Sequence, residues 1–193
     1  MPTPKILAFG GALRAGSFNQ KLANIAAQGA REAGAEVTVI ALRDYPMPIF
    51  DGDLEDASGL PENAKKLKAL FKEHDGWIIS SPEYNSSITA ALKNTIDWVS
   101  RQETDDEPPL SAFAGKTVVL CSASPGKLGG LRGLVTVRSI LGNIGVTVLP
   151  DQVSVPSAYD AFNEDGSLKD AKQAASVKNL GAKLTKHLQK LLA

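Results

Sequence analysis

Short apolar runs alternate along this chain with longer stretches in which apolar residues recur every three to four positions. The runs predict five buried β-strands, at residues 6–9, 36–42, 76–81, 116–121 and 146–149. The longer stretches predict helices, at about residues 17–33, 62–74, 88–101, 131–141 and 167–192. Strands that alternate with helices indicate an α/β fold, in which helices cover both faces of a parallel sheet.

Two further segments show neither period, and we expect both to be irregular. They span residues 43–61 and 151–166. A connection as long as the first one usually has a function or meets a partner. Because the chain shows no internal repeat and no second set of elements, we expect residues 1–193 to form a single domain.

The amino-acid composition argues against several kinds of binding partner for this protein. The 21 basic residues balance the 21 acidic ones, so nothing points to nucleic acid or to an anionic membrane. No apolar stretch approaches the ~20 residues of a membrane-spanning helix, and the first residues do not resemble a signal peptide. A single cysteine, Cys121, excludes a disulfide within the chain and a site built from several cysteines. These features favour a reduced, cytoplasmic setting.

Three glycine-rich or polar loops follow predicted strands 1, 3 and 4. In a parallel sheet the carboxyl ends of the strands share one edge, and ligands bind there, where the strand order reverses. The three loops therefore predict one composite ligand site.

The loop after strand 1 has the features of a phosphate site. Ser17 followed by Gln20 fits a helix-capping box, which alone would explain the serine. Arg14 and Asn19 lie beside that helix start, where free N–H groups and the helix dipole attract anions. The arginine makes bound phosphate the favoured interpretation.

Other phosphate motifs fit less well. Ser17 and Phe18 stand where a nucleoside-triphosphate loop needs Lys and Ser or Thr, and the dinucleotide pattern GxGxxG is absent. A phosphatase loop at Cys121 would need arginine where Lys127 stands, so we expect a buried structural cysteine.

No acid, base or metal set stands out elsewhere. His74 and His187 are expected on the surface, and the acidic residues between 51 and 56 are expected to be solvated. No catalytic side chain is therefore predicted, and the reaction chemistry is assigned to a cofactor.

The other two loops suit a flat aromatic ligand. The turn after strand 3 can meet the edge and face of a ring, although a simple turn with a half-buried tyrosine explains it equally well. The loop after strand 4 can close over the other side. The residues predicted to contribute are Pro82, Glu83, Tyr84 and Asn85 in the first turn, and Ser122, Ser124 and Gly126 in the second loop.

Four stretches resemble the NADPH-dependent FMN reductase family, flavodoxin-like flavoproteins that include quinone, azo-dye and chromate reductases. They are GGALRAGSFNQKLA (10–23), YPMPIFDGDLE (45–55), SPEYNSSITAALKNTIDW (81–98) and AFNEDGSLKD (161–170). The resemblance implies a flavodoxin-like fold with a five-stranded parallel sheet and non-covalent FMN. The FMN phosphate would lie on Arg14, Ser17, Phe18 and Asn19, and the ring between the loops after strands 3 and 4.

The resemblance also implies an activity and an assembly. NADPH or NADH would pass hydride through FMN to a quinone, an azo compound, a metal oxyanion or free flavin. Family members are dimers or pairs of dimers, and the helix with Leu92, Asn94 and Trp98 would lie in the contact. Arg101 or Lys127 is expected to meet the phosphates of the nicotinamide nucleotide.

The chain departs from the family pattern near the second loop. Ser86 replaces a frequent glycine, and Thr89 with Ala90 replaces a Pro-Gly pair. Two alternatives remain open at this stage. A flavodoxin-like electron carrier without its own NAD(P)H oxidation is usually strongly acidic, which the balanced charge here disfavours. A module that binds no flavin, such as a phosphatase, is the other.

Overall fold

The computed structural model describes residues 2–193, and a five-stranded parallel sheet with the order β2-β1-β3-β4-β5 lies at its centre. The strands are β1 (Lys5–Gly10), β2 (Glu36–Val39), β3 (Gly76–Ser80), β4 (Thr117–Ala123) and β5 (Thr147–Val155). The helices are α1 (Phe18–Glu32), α2 (Gly52–Ser58), α3 (Glu62–Glu73), α4 (Ala90–Val99), α5 (Leu131–Asn143), α6 (Ala158–Ala161) and α7 (Ala171–Leu191). This is the predicted flavodoxin-like α/β fold.

Alternating residues of the strands supply two cores. Ile6 and Ala8 of β1 point to one face, where α1 and α7 pack. Leu7 and Phe9 point to the other face, which α3, α4 and α5 cover. Because both faces of the sheet are buried, the strands appear in the sequence as continuous apolar runs.

The strand order reverses between β1 and β3, which opens a crevice at the carboxyl edge of the sheet. The chain runs from β1 out to β2 and then crosses to β3 on the other side of β1. Thr89, the N-cap of α4, donates its hydroxyl to the carbonyl of Gly11 and accepts from Leu92 N at 3.0 Å. This threonine therefore fixes the loop after β1 to the start of α4.

The prediction that strand 5 ends at Leu149 is wrong. The strand continues past Pro150 to Val155, because β5 is an edge strand and an irregular register opposite Val118–Leu120 of β4 absorbs the proline. Proline is tolerated in edge strands and at irregularities of register, so Pro150 does not end this strand.

The predicted irregular segment 43–61 contains α2 and is bound tightly to α4. The carbonyl of Pro48 accepts from Asn94 Nδ2 at 2.9 Å and from Trp98 Nε1 at 2.8 Å. The side-chain oxygen of Asn94 accepts from Phe50 N at 2.8 Å. Trp98 is 0% exposed and Leu92 is buried, so neither side chain is free to form the subunit contact that was expected of this helix.

Three smaller expectations also need correction. His74 is buried, not exposed, and its ring nitrogens hydrogen-bond Leu70 O at 2.7 Å and Thr38 Oγ1 at 2.8 Å. Arg101 pairs with Glu55 at 2.8 Å and does not line the cleft described below. Helix α7 begins only at Ala171, because the side chain of Asp170 caps it.

Candidate functional site

A cleft opens at the carboxyl edge of the sheet, where the loops after β1, β3 and β4 meet. The predicted residues that line it are Arg14, Ser17, Phe18, Asn19, Pro82, Glu83, Tyr84 and Ser124. Its lining also includes Ala12, Gly16, Ala123, Pro125 and Tyr159, whereas Asn85, Ser122 and Gly126 lie outside it.

The loop after β1 presents an anion-binding helix start to the cleft. Gly16 has a φ of +69°, and Ser17 then caps α1 by accepting from Gln20 N at 3.3 Å. The first-turn N–H groups of Phe18 and Asn19 have no partner within the helix. Arg14 beside them is exposed and forms no ion pair within residues 2–193. Groups of these kinds are suited to binding an anion such as phosphate.

The loop stands close to the helix because residue 10 is glycine. A Cβ on Gly10 would lie 2.7 Å from Gln20 N, so any side chain there would push the helix start away. The side-chain oxygen of Gln20 accepts from Gly10 N at 3.1 Å. Gln20 therefore attaches the helix to β1 and does not complete the predicted capping box.

Asn19 connects three elements beneath the cleft. Its side chain is buried, its Nδ2 donates to Ala123 O at 2.8 Å, and its Oδ1 accepts from Ala123 N and Ser80 Oγ, each at 2.9 Å. The amide was expected to hold a ligand directly. The structure shows instead that it holds the ends of β3 and β4 against α1, which leaves the backbone N–H of Asn19 for a ligand.

The turn after β3 is a tight hairpin. Tyr84 N donates to Ser87 O at 2.9 Å, and Ser87 N donates back at 3.1 Å. The two residues between them, Asn85 and Ser86, have φ values of +51° and +68°. Two-residue hairpins of this shape favour Asn-Gly, so the glycine frequent in the family at position 86 has a steric reason. The hairpin holds the exposed ring of Tyr84 at the cleft wall.

Glu83 supports the cleft from behind. Its buried carboxylate accepts from Arg132 Nε at 2.7 Å, from Arg132 N at 3.1 Å and from Gly133 N at 3.3 Å. Burial alone would raise the pKa of Glu83, but these hydrogen bonds outweigh it and the pKa is lowered. The carboxylate is therefore ionised and caps α5, which leaves Arg14 as the unpaired charge among the lining residues.

The loop after β4 contributes Ser124 alone of its three predicted residues. Ser122 is buried, and its hydroxyl donates to Gly129 O at 2.6 Å. Burial raises the pKa of the neighbouring Cys121 thiol to about 12. Cys121 is therefore the inert structural cysteine that the sequence predicted.

A fourth loop, which the sequence analysis missed, reaches the cleft after β5. The carbonyl of Ser124 accepts from Ala158 N at 3.1 Å, and this bond holds Tyr159 at the rim. The segment was predicted to be irregular, and no spacing or motif marked it as part of a site.

Within residues 2–193, no three His, Cys, Asp or Glu side chains gather as metal ligands. Over the same residues, every helix is too short or too polar to cross a bilayer.

Comparison with known proteins shows which family this chain resembles. A family model described as NADPH-dependent FMN reductase matches residues 4–160. An NAD(P)H-dependent FMN reductase of Pseudomonas aeruginosa is 33% identical over 170 residues, which cover 87% of this chain and 86% of that protein.

Two other comparisons extend the likeness. A quinone reductase of Escherichia coli (strain K12) is 37% identical over 132 residues, 68% of this chain, and the alignment spans 65% of that protein's length. A flavoenzyme NAD(P)H:(acceptor) oxidoreductase from Paracoccus denitrificans has a similar structure, with a TM-score of 0.77 at 23% identity over 97% of this chain and 98% of that one. At that identity the structural match supports the fold alone.

Proposed function

Because this chain belongs to the NADPH-dependent FMN reductase family, we propose that it is an NAD(P)H-dependent oxidoreductase with non-covalently bound FMN. The electron acceptor is a small molecule, such as a quinone, an azo compound, a metal oxyanion or free flavin. The observation that carries the proposal is the cleft itself, in which a capped helix start and an unpaired arginine lie beside a rigid aromatic hairpin. We also propose that the whole chain forms one domain, since α7 packs against α1 at the opposite end of the sequence.

The residues at the start of α1 fit the phosphate of FMN. The donors are two backbone N–H groups, the Ser17 hydroxyl and the Arg14 guanidinium, and no unpaired carboxylate lines the cleft. A phosphate carries about −1.5 to −2 charges at pH 7, so it needs such a donor set. Glu83 also lines the cleft, and its lowered pKa means that its carboxylate is negatively charged. This charge does not oppose phosphate binding, because the ion pair with Arg132 compensates it.

The remaining walls fit a flat ring. The loop after β3 contributes Pro82 and Tyr84 to the lining, and the end of β4 with the loop after it contributes Ala123 and Pro125. When bound, FMN supplies the redox chemistry: it accepts a hydride from NAD(P)H and passes the electrons to the acceptor. The chain's own residues bind, orient and partly enclose the two reactants, and none of them needs to act as an acid or base.

Steady-state turnover tests the proposal against an electron carrier of the same fold. Purified protein loaded with FMN should oxidise NADPH or NADH continuously when a quinone is supplied. A flavin-loaded protein that shows no turnover with either donor would favour the carrier, and a protein that takes up no FMN would contradict both.

Arg14→Ala should weaken FMN binding by about 1.5–3 kcal/mol, since it removes a charged hydrogen bond to the phosphate. Equilibrium titration of flavin fluorescence measures this. Arg31→Ala is the matched control, because Arg31 lies at the far end of α1, where it donates to Val37 O at 3.0 Å. Equal flavin retention by both variants would remove Arg14 from the phosphate site.

We also propose a homodimer, or a pair of dimers, that uses the outer face of α5. Leu131 and Val135 expose apolar side chains there, Leu128 exposes another in the loop just before the helix, and Val135 is 66% exposed. The opposite, buried side of this helix packs on the loop after β3, where a Cβ on Gly133 would lie 3.3 Å from Glu83 Cα. The buried Trp98 cannot play that part.

Val135→Glu should therefore shift the protein towards monomer in sedimentation equilibrium, because it places a charge in an apolar contact. Leu191→Glu, an exposed leucine on the last helix, is the control and should leave the assembly intact. A monomeric parent, or a Val135→Glu variant that assembles like its parent, would contradict the proposed face. We further propose a cytoplasmic location, which the free, buried Cys121 supports.

A further inference from the structure

The loop after β5 holds Tyr159 at the rim of the cleft. Ser157 adopts a left-handed backbone with a φ of +49°, and α6 begins directly after it. Ala158 is fully buried and donates its N–H to Ser124 O at 3.1 Å. The position of Tyr159 is thus fixed relative to the loop after β4.

An aromatic cluster places Tyr159 at the phosphate end of the cleft. Its ring meets the ring of Phe18 edge to face, with centroids 5.3 Å apart and planes at 87°. The other neighbour of Phe18 is Phe162, stacked at 5.3 Å and 25°. Since the backbone N–H of Phe18 belongs to the helix start, Tyr159 stands beside the phosphate donors.

The hydroxyl of Tyr159 does not help to hold the fold together. The residue is 63% exposed, and within residues 2–193 its oxygen makes no hydrogen bond. It lines the same cleft as Arg14, the unpaired charge there. A phosphate dianion leaves acceptor oxygens beyond those that one guanidinium and two N–H groups can satisfy, and a phenol is a suitable neutral donor.

We propose that Tyr159 is a specificity-determining residue for the cofactor, whose hydroxyl donates to the phosphate group of the bound flavin. This inference rests on the proposed function, since it presumes that the cleft binds a flavin. Its consequence is selective: Tyr159 favours the phosphorylated flavin, FMN, over riboflavin, which has the same ring and sugar chain without the phosphate.

Fluorescence titrations of FMN and riboflavin against three proteins test this. The proteins are the parent, Tyr159→Phe and Tyr45→Phe. Tyr159→Phe should bind FMN about tenfold more weakly, which is about 1.4 kcal/mol, and should bind riboflavin as the parent does. Tyr45 packs against the core outside the cleft, so Tyr45→Phe should change neither affinity.

Two outcomes would overturn the inference while leaving the proposed function standing. One is a Tyr159→Phe variant that binds FMN as tightly as the parent. The other is an equal loss of affinity for both flavins, which would place the phenol against the ring or the sugar chain. A parent that binds neither flavin would instead overturn the proposed function together with this inference. Because the phenylalanine ring keeps the packing on Phe18, the variant is expected to fold as the parent does.

Discussion

Asn19→Ala should lower the free energy of unfolding by about 3 kcal/mol and weaken FMN binding at least tenfold. The buried side chain makes three hydrogen bonds that no other group replaces, to both backbone groups of Ala123 and to the Ser80 hydroxyl. Truncation leaves these buried groups without partners, and each costs about 1–3 kcal/mol.

The same loss reaches the site because Asn19 lies in the first turn of α1. Without it, the helix start that carries the phosphate donors is no longer attached to the ends of β3 and β4. Urea denaturation measures the loss of stability, and flavin titration under native conditions measures the loss of affinity.

Asn24→Ala is the matched control for this prediction. Asn24 lies on the exposed side of the same helix and only accepts from Gln20 Nε2 at 3.3 Å. Its removal should change the free energy of unfolding by less than about 0.5 kcal/mol. If Asn19→Ala were as mild as this control, the network beneath the cleft would not support the site.

Gly181→Ala should lower the free energy of unfolding by about 3 kcal/mol, at the upper end of the cost of overpacking. A Cβ at this position would lie 2.0 Å from Ala26 O and 2.7 Å from Ala30 N, so the two helices must separate. The opposing Gly29 is equally tight, with Lys178 O at 2.0 Å from its Cβ position. The contact between α1 and α7 therefore depends on backbone meeting backbone.

Thermal unfolding tests this, with Gly142→Ala as the control. Gly142 lies in α5 with no atom within 4 Å of its Cβ position, so alanine there should stabilise the helix by about 0.5–1 kcal/mol. For a chain of this size, Gly181→Ala should lower the Tm by roughly 6–12 °C. A Tm that rises with both substitutions would show that α1 and α7 do not pack this closely.

The order and type of the main elements could be predicted chiefly because the three central strands, β1, β3 and β4, are buried on both faces. Such strands form short apolar runs that differ clearly from the helical period between them. The exceptions have local causes. Pro150 looked like the end of a strand, but β5 is an edge strand, where the missing N–H does little harm. Helix α2 buries no residue, so the sequence has no apolar stripe from which this helix could be predicted.

The loops that line the cleft could be predicted from local sequence, whereas contacts between side chains far apart in the chain could not. The helix start with Arg14 follows from local sequence alone. The bonds of Asn19 to Ala123 join residues 104 positions apart, and no local pattern contains them. Tyr159 was missed for a related reason, since long-range contacts such as the bond from Ala158 N to Ser124 O bring its loop to the cleft.

A crystal structure of this protein grown with FMN would show directly whether the cleft binds the flavin as proposed. We expect the phosphate at the first turn of α1, within hydrogen-bonding distance of Phe18 N, Asn19 N and the Arg14 guanidinium. We expect the ring between the Tyr84 hairpin and the loop after β4. A phosphate bound elsewhere, with only solvent at that helix start, would show that this helix start is not the phosphate site.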